Sequence, residues 1–161
     1  MISLSGFAQI SDELKEQIEI KSYHIDIDLG KRINKKKIEV DTIKIKSELY
    51  TNKIENKIKF KVTREFIDLD IYTENGKLLM IRTTEKSPKF KSYDNAIKIT
   101  TLYFKNGIKV DQKIRVGIPK ELHGIGFPKD FDSHKVYGYD QNFTPKLIMK
   151  ISNQIIEQTA E

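Results

Sequence analysis

The sequence predicts a mainly β protein, an antiparallel β-sandwich or curved sheet of about seven or eight strands with short N- and C-terminal helices. Two observations carry this prediction. Stretches between residues 23 and 116 alternate apolar and polar side chains, which is the period of a half-buried strand. Two Asn-Gly pairs interrupt such stretches, and Asn-Gly is the strongest short signal for a β-hairpin.

Length and composition predict a single domain over residues 1–161. The chain contains no cysteine, which excludes disulfides, thiolate metal ligands and a cysteine nucleophile. The stretch MISLSGFAQISDELK lacks the features of a signal peptide, and no apolar run approaches the ~20 residues of a membrane span. We therefore expect a cytoplasmic protein with no membrane partner.

The N-terminal region changes its period once. Ser11 precedes two acidic residues, which is typical of a helix start, and Leu14 and Ile18 share one helical face. We expect a helix over about residues 12–18. The stretch YHIDIDL then alternates apolar and polar residues, which predicts a strand over residues 23–29.

Further alternation predicts the next strands. IEVDTIKIKSELY (38–50) alternates twice, with a phase slip at Thr42/Ile43 that suggests a bulge. IKFKV (58–62) and FIDLDIY (66–72) alternate without interruption. The Asn-Gly pairs then place two-residue turns at residues 75–76 and 106–107. The first turn would pair Glu74 with Lys77 and Ile71 with Met80, and the second would pair Lys105 with Ile108, Tyr103 with Val110, Ile99 with Ile114 and Ile97 with Val116.

The C-terminal region combines a loop and a helix. Residues 120–143 are rich in glycine, aromatic and charged residues, and read as a loop with a strand at 134–139. Thr144 is a suitable N-cap before Pro145, and isoleucines follow at helical spacing, which predicts a helix over about residues 145–158. KLIMKIS as a strand is the alternative.

Acidic residues could form one face of a hairpin. If residues 23–29 paired with 38–41, Asp26, Asp28, Glu39 and Asp41 would lie beside His24. Carboxylates crowded in this way invite a divalent cation, which would suit a metal-dependent phosphoester enzyme. The alternative, which we expect, is a solvated face balanced by neighbouring lysines and binding no ion tightly. DFDSH (130–134) is read as a polar turn.

Positive charge is concentrated in one block. The chain carries a formal charge of +6, yet residues 31–64 hold twelve lysines and arginines against four acidic residues. Within this block GKRINKKK is read as a turn between two strands, where long cations stay solvated. Such a turn could dock an acidic protein surface, or the whole block could bind nucleic acid. The candidate partner-binding cations are Lys31, Arg32, Lys35, Lys36 and Lys37.

Aromatic residues cluster at KVYGYDQNF (135–143), close in sequence to Phe127 and Phe131. They either pack the loop onto the sheet or form an exposed patch for protein recognition. On the second interpretation, Tyr137 and Tyr139 join the candidate partner-binding residues.

No pattern names a covalent mechanism or a cofactor. There is no Ser-His-Asp signature, and the Gly-x-Gly of HGIGFP lacks the strand and helix that a phosphate-binding loop needs. The sequence therefore favours a non-catalytic binding module, an inhibitor, adaptor or assembly subunit. No catalytic, cofactor-binding or metal-ligating residue is assigned.

Two stretches resemble a known family. DLDIYTENGKLLMIRT (68–83) is similar to the opening hairpin of the small heat-shock (alpha-crystallin) domain. PKDFDSHKVYGYDQNFTPKLIMKIS (128–152) is similar to its closing strands, with IMKI in place of an I-x-I-like motif. The resemblance implies a holdase-type chaperone as a further alternative.

Overall fold

A computed structural model of the chain describes residues 11–40, 43–52, 57–64, 67–89, 96–117 and 137–159. These residues form a mainly β protein with antiparallel strands and two helices, as the sequence predicts. The helices are α1 (Asp12–Ile27) and α2 (Pro145–Thr159). The strands are β1 (Arg32–Val40), β2 (Ile43–Asn52), β3 (Lys57–Arg64), β4 (Ile67–Glu74), β5 (Lys77–Lys86), β6 (Ile97–Lys105) and β7 (Ile108–Gly117). These strands are hydrogen-bonded in chain order.

Both Asn-Gly turns form where the sequence predicts them. The backbone φ is positive at each of their four residues, as a type I′ turn requires. The first pairs of each hairpin, Glu74 with Lys77 and Lys105 with Ile108, are confirmed.

Beyond these first pairs the predicted register is wrong by one residue. Leu79 and Val110 are each an extra residue in the second strand of their hairpin, so both hairpins carry a β-bulge. The observed pairs are Ile71 with Ile81, Tyr103 with Asp111, Ile99 with Arg115 and Ile97 with Gly117, in place of the predicted partners Met80, Val110, Ile114 and Val116.

Helix α1 is longer than predicted, and the strand predicted over residues 23–29 is wrong. Ser11 caps the helix, and its side chain accepts a hydrogen bond from the Leu14 amide at 3.2 Å. Ile18 and Ile25, seven residues apart, are 4% and 2% exposed, so the helical period continues through the alternating stretch. Because Tyr23 is 62% exposed, the alternation there does not mark a buried face.

The basic stretch predicted as a turn lies instead almost entirely in strand β1. Val40 of β1 pairs with Ile43 of β2, so the predicted phase slip at Thr42/Ile43 coincides with the start of a new strand and not with a bulge. Thr42 itself lies outside the described residues. The β1–β2 hairpin was missed because its sequence carries no Asn-Gly signal.

The central strands are buried on both faces. Ile71 and Tyr72 are neighbours in β4, point to opposite faces and are both fully buried. Ile71 belongs to the larger apolar cluster, which includes α2 residues, while Tyr72 belongs to a cluster with Ile18 and Ile25 of α1. The two helices therefore cover opposite faces of the sheet.

The predicted C-terminal helix is confirmed. The Leu147 amide donates to Thr144 Oγ1 at 3.4 Å, and Ile148, Ile151 and Ile155 are buried against the sheet. The alternative strand at KLIMKIS is wrong, and the IMKI segment that resembles a closing strand of the small heat-shock domain is helical.

Part of the aromatic loop lies outside the described residues. The DFDSH and HGIGFP motifs, Phe127 and Phe131 fall there. Of the strand predicted at 134–139, residues 137–139 are described and are not extended strand. Neither described helix has the length and apolarity needed to cross a membrane.

Candidate functional site

Helix α1 lies across the sheet, and its successive turns make polar contacts with four neighbouring strands, β7, β6, β5 and β4. One helical turn rises ~5.4 Å, close to the ~4.8 Å between neighbouring strands, so residues three or four apart meet successive strands. The four contacts are Lys15 Nζ to Asp111 Oδ2 of β7 at 3.0 Å, Tyr103 of β6 to Glu19, Ser22 Oγ to Met80 Sδ of β5 at 3.7 Å, and Tyr72 of β4 to Asp26 Oδ2 at 3.0 Å. We call this set the polar ladder.

The end of the ladder is a connected hydrogen-bond network. Arg82 donates to the Tyr72 hydroxyl at 2.7 Å and to Asp26 Oδ2 at 3.3 Å. Its guanidinium also lies 3.6 Å from Asp70. Burial, followed by the nearby Asp70 charge, raises the pKa of Tyr72, which keeps this phenol neutral. Asp26 and Arg82 are therefore held in fixed positions by each other and by Tyr72.

A cleft of about 450 Å³ opens beside α1, over the outer part of the sheet. Its helix wall includes Glu16, Glu19, Ile20, Tyr23 and Asp26. Its sheet wall includes Arg82, Ile99, Thr101, Lys113 and Arg115, from β5, β6 and β7. Carboxylates thus line one wall and cations line the other.

The five cations predicted to bind a partner are not equivalent. Lys31, Arg32, Lys35 and Lys37 are exposed, at the start of β1 or along it. Lys36 is half-buried and donates to the Gln158 carbonyl of α2 at 2.7 Å, so it ties β1 to the helix.

Two of the exposed cations already have an acidic neighbour. Arg32 and Lys35 lie 3.3 Å and 3.6 Å from Glu48 Oε1 on β2. The Tyr50 hydroxyl donates to Glu48 at 2.7 Å, and this hydrogen bond, with the two cations, lowers the pKa of Glu48. Lys37 lies directly opposite Lys46, and both are exposed.

Tyr137 and Tyr139 are buried, at 9% and 3% exposure. They pack with Ala96 and Val116 at the end of β6 and β7. The exposed-patch interpretation is not supported for these two rings, because neither offers a partner much surface. The interpretation in which they pack onto the sheet describes them better.

A buried ion pair lies beneath Tyr139. Lys98 Nζ is 3.1 Å from Glu85 Oε2 and 5.7 Å from the centre of the Tyr139 ring. The Asp140 amide donates to Glu85 Oε1 at 2.6 Å. A charge buried without a partner is strongly destabilising, so this pair fixes where the segment after residue 136 joins the sheet.

The predicted hairpin of carboxylates does not form, because residues 23–27 are helical. Asp26 belongs to the polar ladder, Asp28 follows α1 and is exposed, and Glu39 is exposed on β1. Asp41 lies outside the described residues. Within the described part of the chain, no three His, Asp or Glu side chains are grouped so that they could hold a metal ion.

Sequence reasoning missed the cleft because it ended α1 too early. The signal was present: Lys15, Glu19, Ser22 and Asp26 repeat at spacings of four, three and four residues. The apolar Leu14, Ile18 and Ile25 follow at spacings of four and seven, which also match the helical period. Comparison of the chain with known protein families, with curated proteins and with solved structures found no match.

Proposed function

We propose that the protein is a non-catalytic binding module that docks an acidic surface of another protein. The docking surface is the basic strand face, which we define as the exposed cations of β1 and β2. They are Arg32, Lys35, Lys37, Lys44 and Lys46.

The observation that carries this proposal is the pairing of Lys37 with Lys46. Like charges directly opposite each other on neighbouring strands destabilise a sheet. On either side of this pair the sheet uses opposite charges instead, Lys35 with Glu48 and Glu39 with Lys44. The two lysines at the centre of the face therefore lower the stability of the sheet, and together they present positive charge to a negatively charged partner.

The proposal is tested with Lys37→Glu. A glutamate opposite Lys46 replaces a repulsive pair with an attractive one, so the free energy of unfolding should rise by roughly 0.2–1 kcal/mol. Association with immobilised poly-glutamate at low salt should slow, because charge steering acts mainly on the on-rate. Urea unfolding measures the gain in stability, and surface plasmon resonance measures the loss in association rate.

Lys109→Glu on β7 is the matched control, since it makes the same change of charge at an exposed site outside the basic strand face. It should leave association closer to wild type. Equal association rates for Lys37→Glu and wild type would refute the docking role. If the Lys37→Glu variant aggregates, the role of Lys37 is instead to prevent the exposed edge strand β1 from pairing with another molecule.

Nucleic acid is the alternative partner, through residues 31–64. This alternative is tested by measuring binding to duplex DNA over a range of salt concentrations. If it holds, the logarithm of the affinity should fall linearly with the logarithm of the salt concentration. Tyr50 is the one aromatic residue in the sequences of β1 and β2, and its hydroxyl is bonded to Glu48. A face with few aromatics is poorly suited to stacking on single-stranded bases.

We also propose that the complete chain is one curved sheet of about seven or eight strands and not a two-sheet sandwich. The support is the pairing of the described strands in chain order and the bulges that bend them. The single-domain organisation and the cytoplasmic location stay predictions from composition.

A further inference from the structure

The charges of the cleft beside α1 are only partly satisfied within the described protein. Asp26 and Arg82 bind each other and Tyr72. Glu19 accepts from Tyr103 through one of its two carboxylate oxygens.

The remaining charges face each other across the cleft. Glu16 on the helix wall and Lys113 and Arg115 on the sheet wall are exposed. Within the described residues these three side chains form no ion pair with one another or with a neighbour. The cleft therefore offers an anionic wall and a cationic wall that are both free to contact a ligand.

The same cleft is also lined by apolar side chains, two of which are exposed to solvent. Ile20 and Tyr23 on the helix wall are 49% and 62% exposed, so both offer apolar surface that a ligand could cover. Ile99 and Met80 lie on the sheet side. The volume of about 450 Å³ is within the range of small-molecule sites.

We propose that this cleft binds a zwitterionic ligand with an apolar body, of the class of a short apolar peptide with free termini. The ammonium group lies against Glu16 and the free oxygen of Glu19. The carboxylate lies against Lys113 and Arg115, and the apolar side chains cover Ile20, Tyr23 and Ile99.

Charge balance selects this class of ligand. The helix wall carries three carboxylates and the sheet wall carries three cations, so a ligand with one sign of charge would be repelled by the wall of that sign. A ligand with opposite charges at its two ends satisfies both walls. An apolar body between them removes exposed apolar surface from water, which adds to the affinity.

The test is isothermal titration calorimetry with a Phe-Leu dipeptide against the full chain. The free dipeptide should bind saturably at one site, and acetylation of its amino group or amidation of its carboxyl group should each weaken binding about tenfold, as expected when a hydrogen bond between charged groups is lost. Glu16→Gln should weaken the free dipeptide and leave the acetylated one unchanged. The double variant Lys113→Gln, Arg115→Gln should weaken binding of the acetylated dipeptide, which keeps its carboxylate. It should leave binding of the amidated dipeptide unchanged.

This pairing of ligand ends with protein walls distinguishes a built site from general stickiness. Glu13→Gln on α1 and Lys109→Gln on β7 are controls, because both residues are exposed and neither lines the cleft. They should leave every affinity at the wild-type value. Absence of saturable binding, or equal effects of the cleft variants and the controls, would overturn the proposal. Neither outcome bears on the basic strand face, whose test uses other residues and another probe.

Discussion

Two glycines with similar positive φ angles differ in their surroundings. Gly76 has φ +72° and Gly138 has φ +75°, a region that L-amino acids with a side chain seldom adopt. A Cβ at Gly76 would meet no atom within 4 Å. At Gly138 it would lie 3.1 Å from Lys89 Cγ and 3.2 Å from Pro88 Cγ, beside the buried tyrosines.

We expect Gly76→Ala to cost roughly 1–2 kcal/mol, from the left-handed conformation alone. Gly138→Ala should cost more, because the same backbone term is joined by crowding against Pro88 and Lys89. Urea unfolding of the two variants measures the difference, and Gly76→Ala serves as the backbone control. Equal losses would show that the segment at Gly138 shifts to accept the methyl group.

The residue scale is also where the sequence predicted best. Asn75 and Asn106 with their following glycines have the positive φ values that the turn type demands, because few other residues tolerate them. The bulges at Leu79 and Val110 could not be predicted in the same way. Both residues are apolar and pack in the cluster under α1, so their extra position is set by a helix far away in sequence.

Among the elements, α2 depends on a narrow apolar stripe. Ile148, Ile151 and Ile155 are at most 1% exposed and join the larger apolar cluster. Ile151→Ala should lower the free energy of unfolding by roughly 2–5 kcal/mol, the usual cost of such a truncation in a core. Thermal or urea unfolding measures it.

Ile27→Ala on α1 is the comparison, since Ile27 is 60% exposed and leaves no cavity. Its effect should be within about 0.5 kcal/mol of wild type. A small loss in Ile151→Ala would mean that α2 is not firmly packed on the sheet.

The two helices explain why elements were predicted unevenly. Ile148, Ile151 and Ile155 of α2 follow at spacings of three and four, so a helix brings them onto one face, whereas a strand would separate them. Residues 23–27 of α1 fit both periods, because apolar residues at 23, 25 and 27 alternate while Ile18 and Ile25 keep the helical period. The helix forms instead of the strand because packing on the sheet buries Ile25 and leaves Tyr23 and Ile27 exposed. The cleft depends on this helix, and was missed with it.

At the scale of the whole molecule, buried tyrosines make stability sensitive to alkali. The pKa values of Tyr72, Tyr103 and Tyr139 all lie above the ordinary value of 10.0, chiefly because burial disfavours the phenolate. Above that pH the unfolded chain loses protons that the folded chain retains. Folding stability is therefore fully present below about pH 10 and falls as the pH rises further.

We expect the urea midpoint to decline above about pH 10, and tyrosinate absorbance to develop together with unfolding. Tyr72→Phe removes one of these retained protons and should reduce the slope of stability against pH by up to about 1.4 kcal/mol per pH unit. Its stability near neutral pH provides the baseline. An unchanged slope in Tyr72→Phe would show that this phenol titrates equally in both states.

The polar ladder has a consequence for the order in which a newly made chain can fold. Helix α1 is synthesised before every strand that it crosses, yet its contacts reach 46, 58 and 84 residues ahead, to Tyr72, Met80 and Tyr103. Contacts over such separations form only after the intervening chain has been ordered, since loop closure must come first. The helix therefore leaves the ribosome before the strands that it contacts, and it is among the last elements to reach its place. Until then its apolar residues Leu14, Ile18 and Ile25 remain exposed to solvent and accessible to chaperones that bind nascent chains.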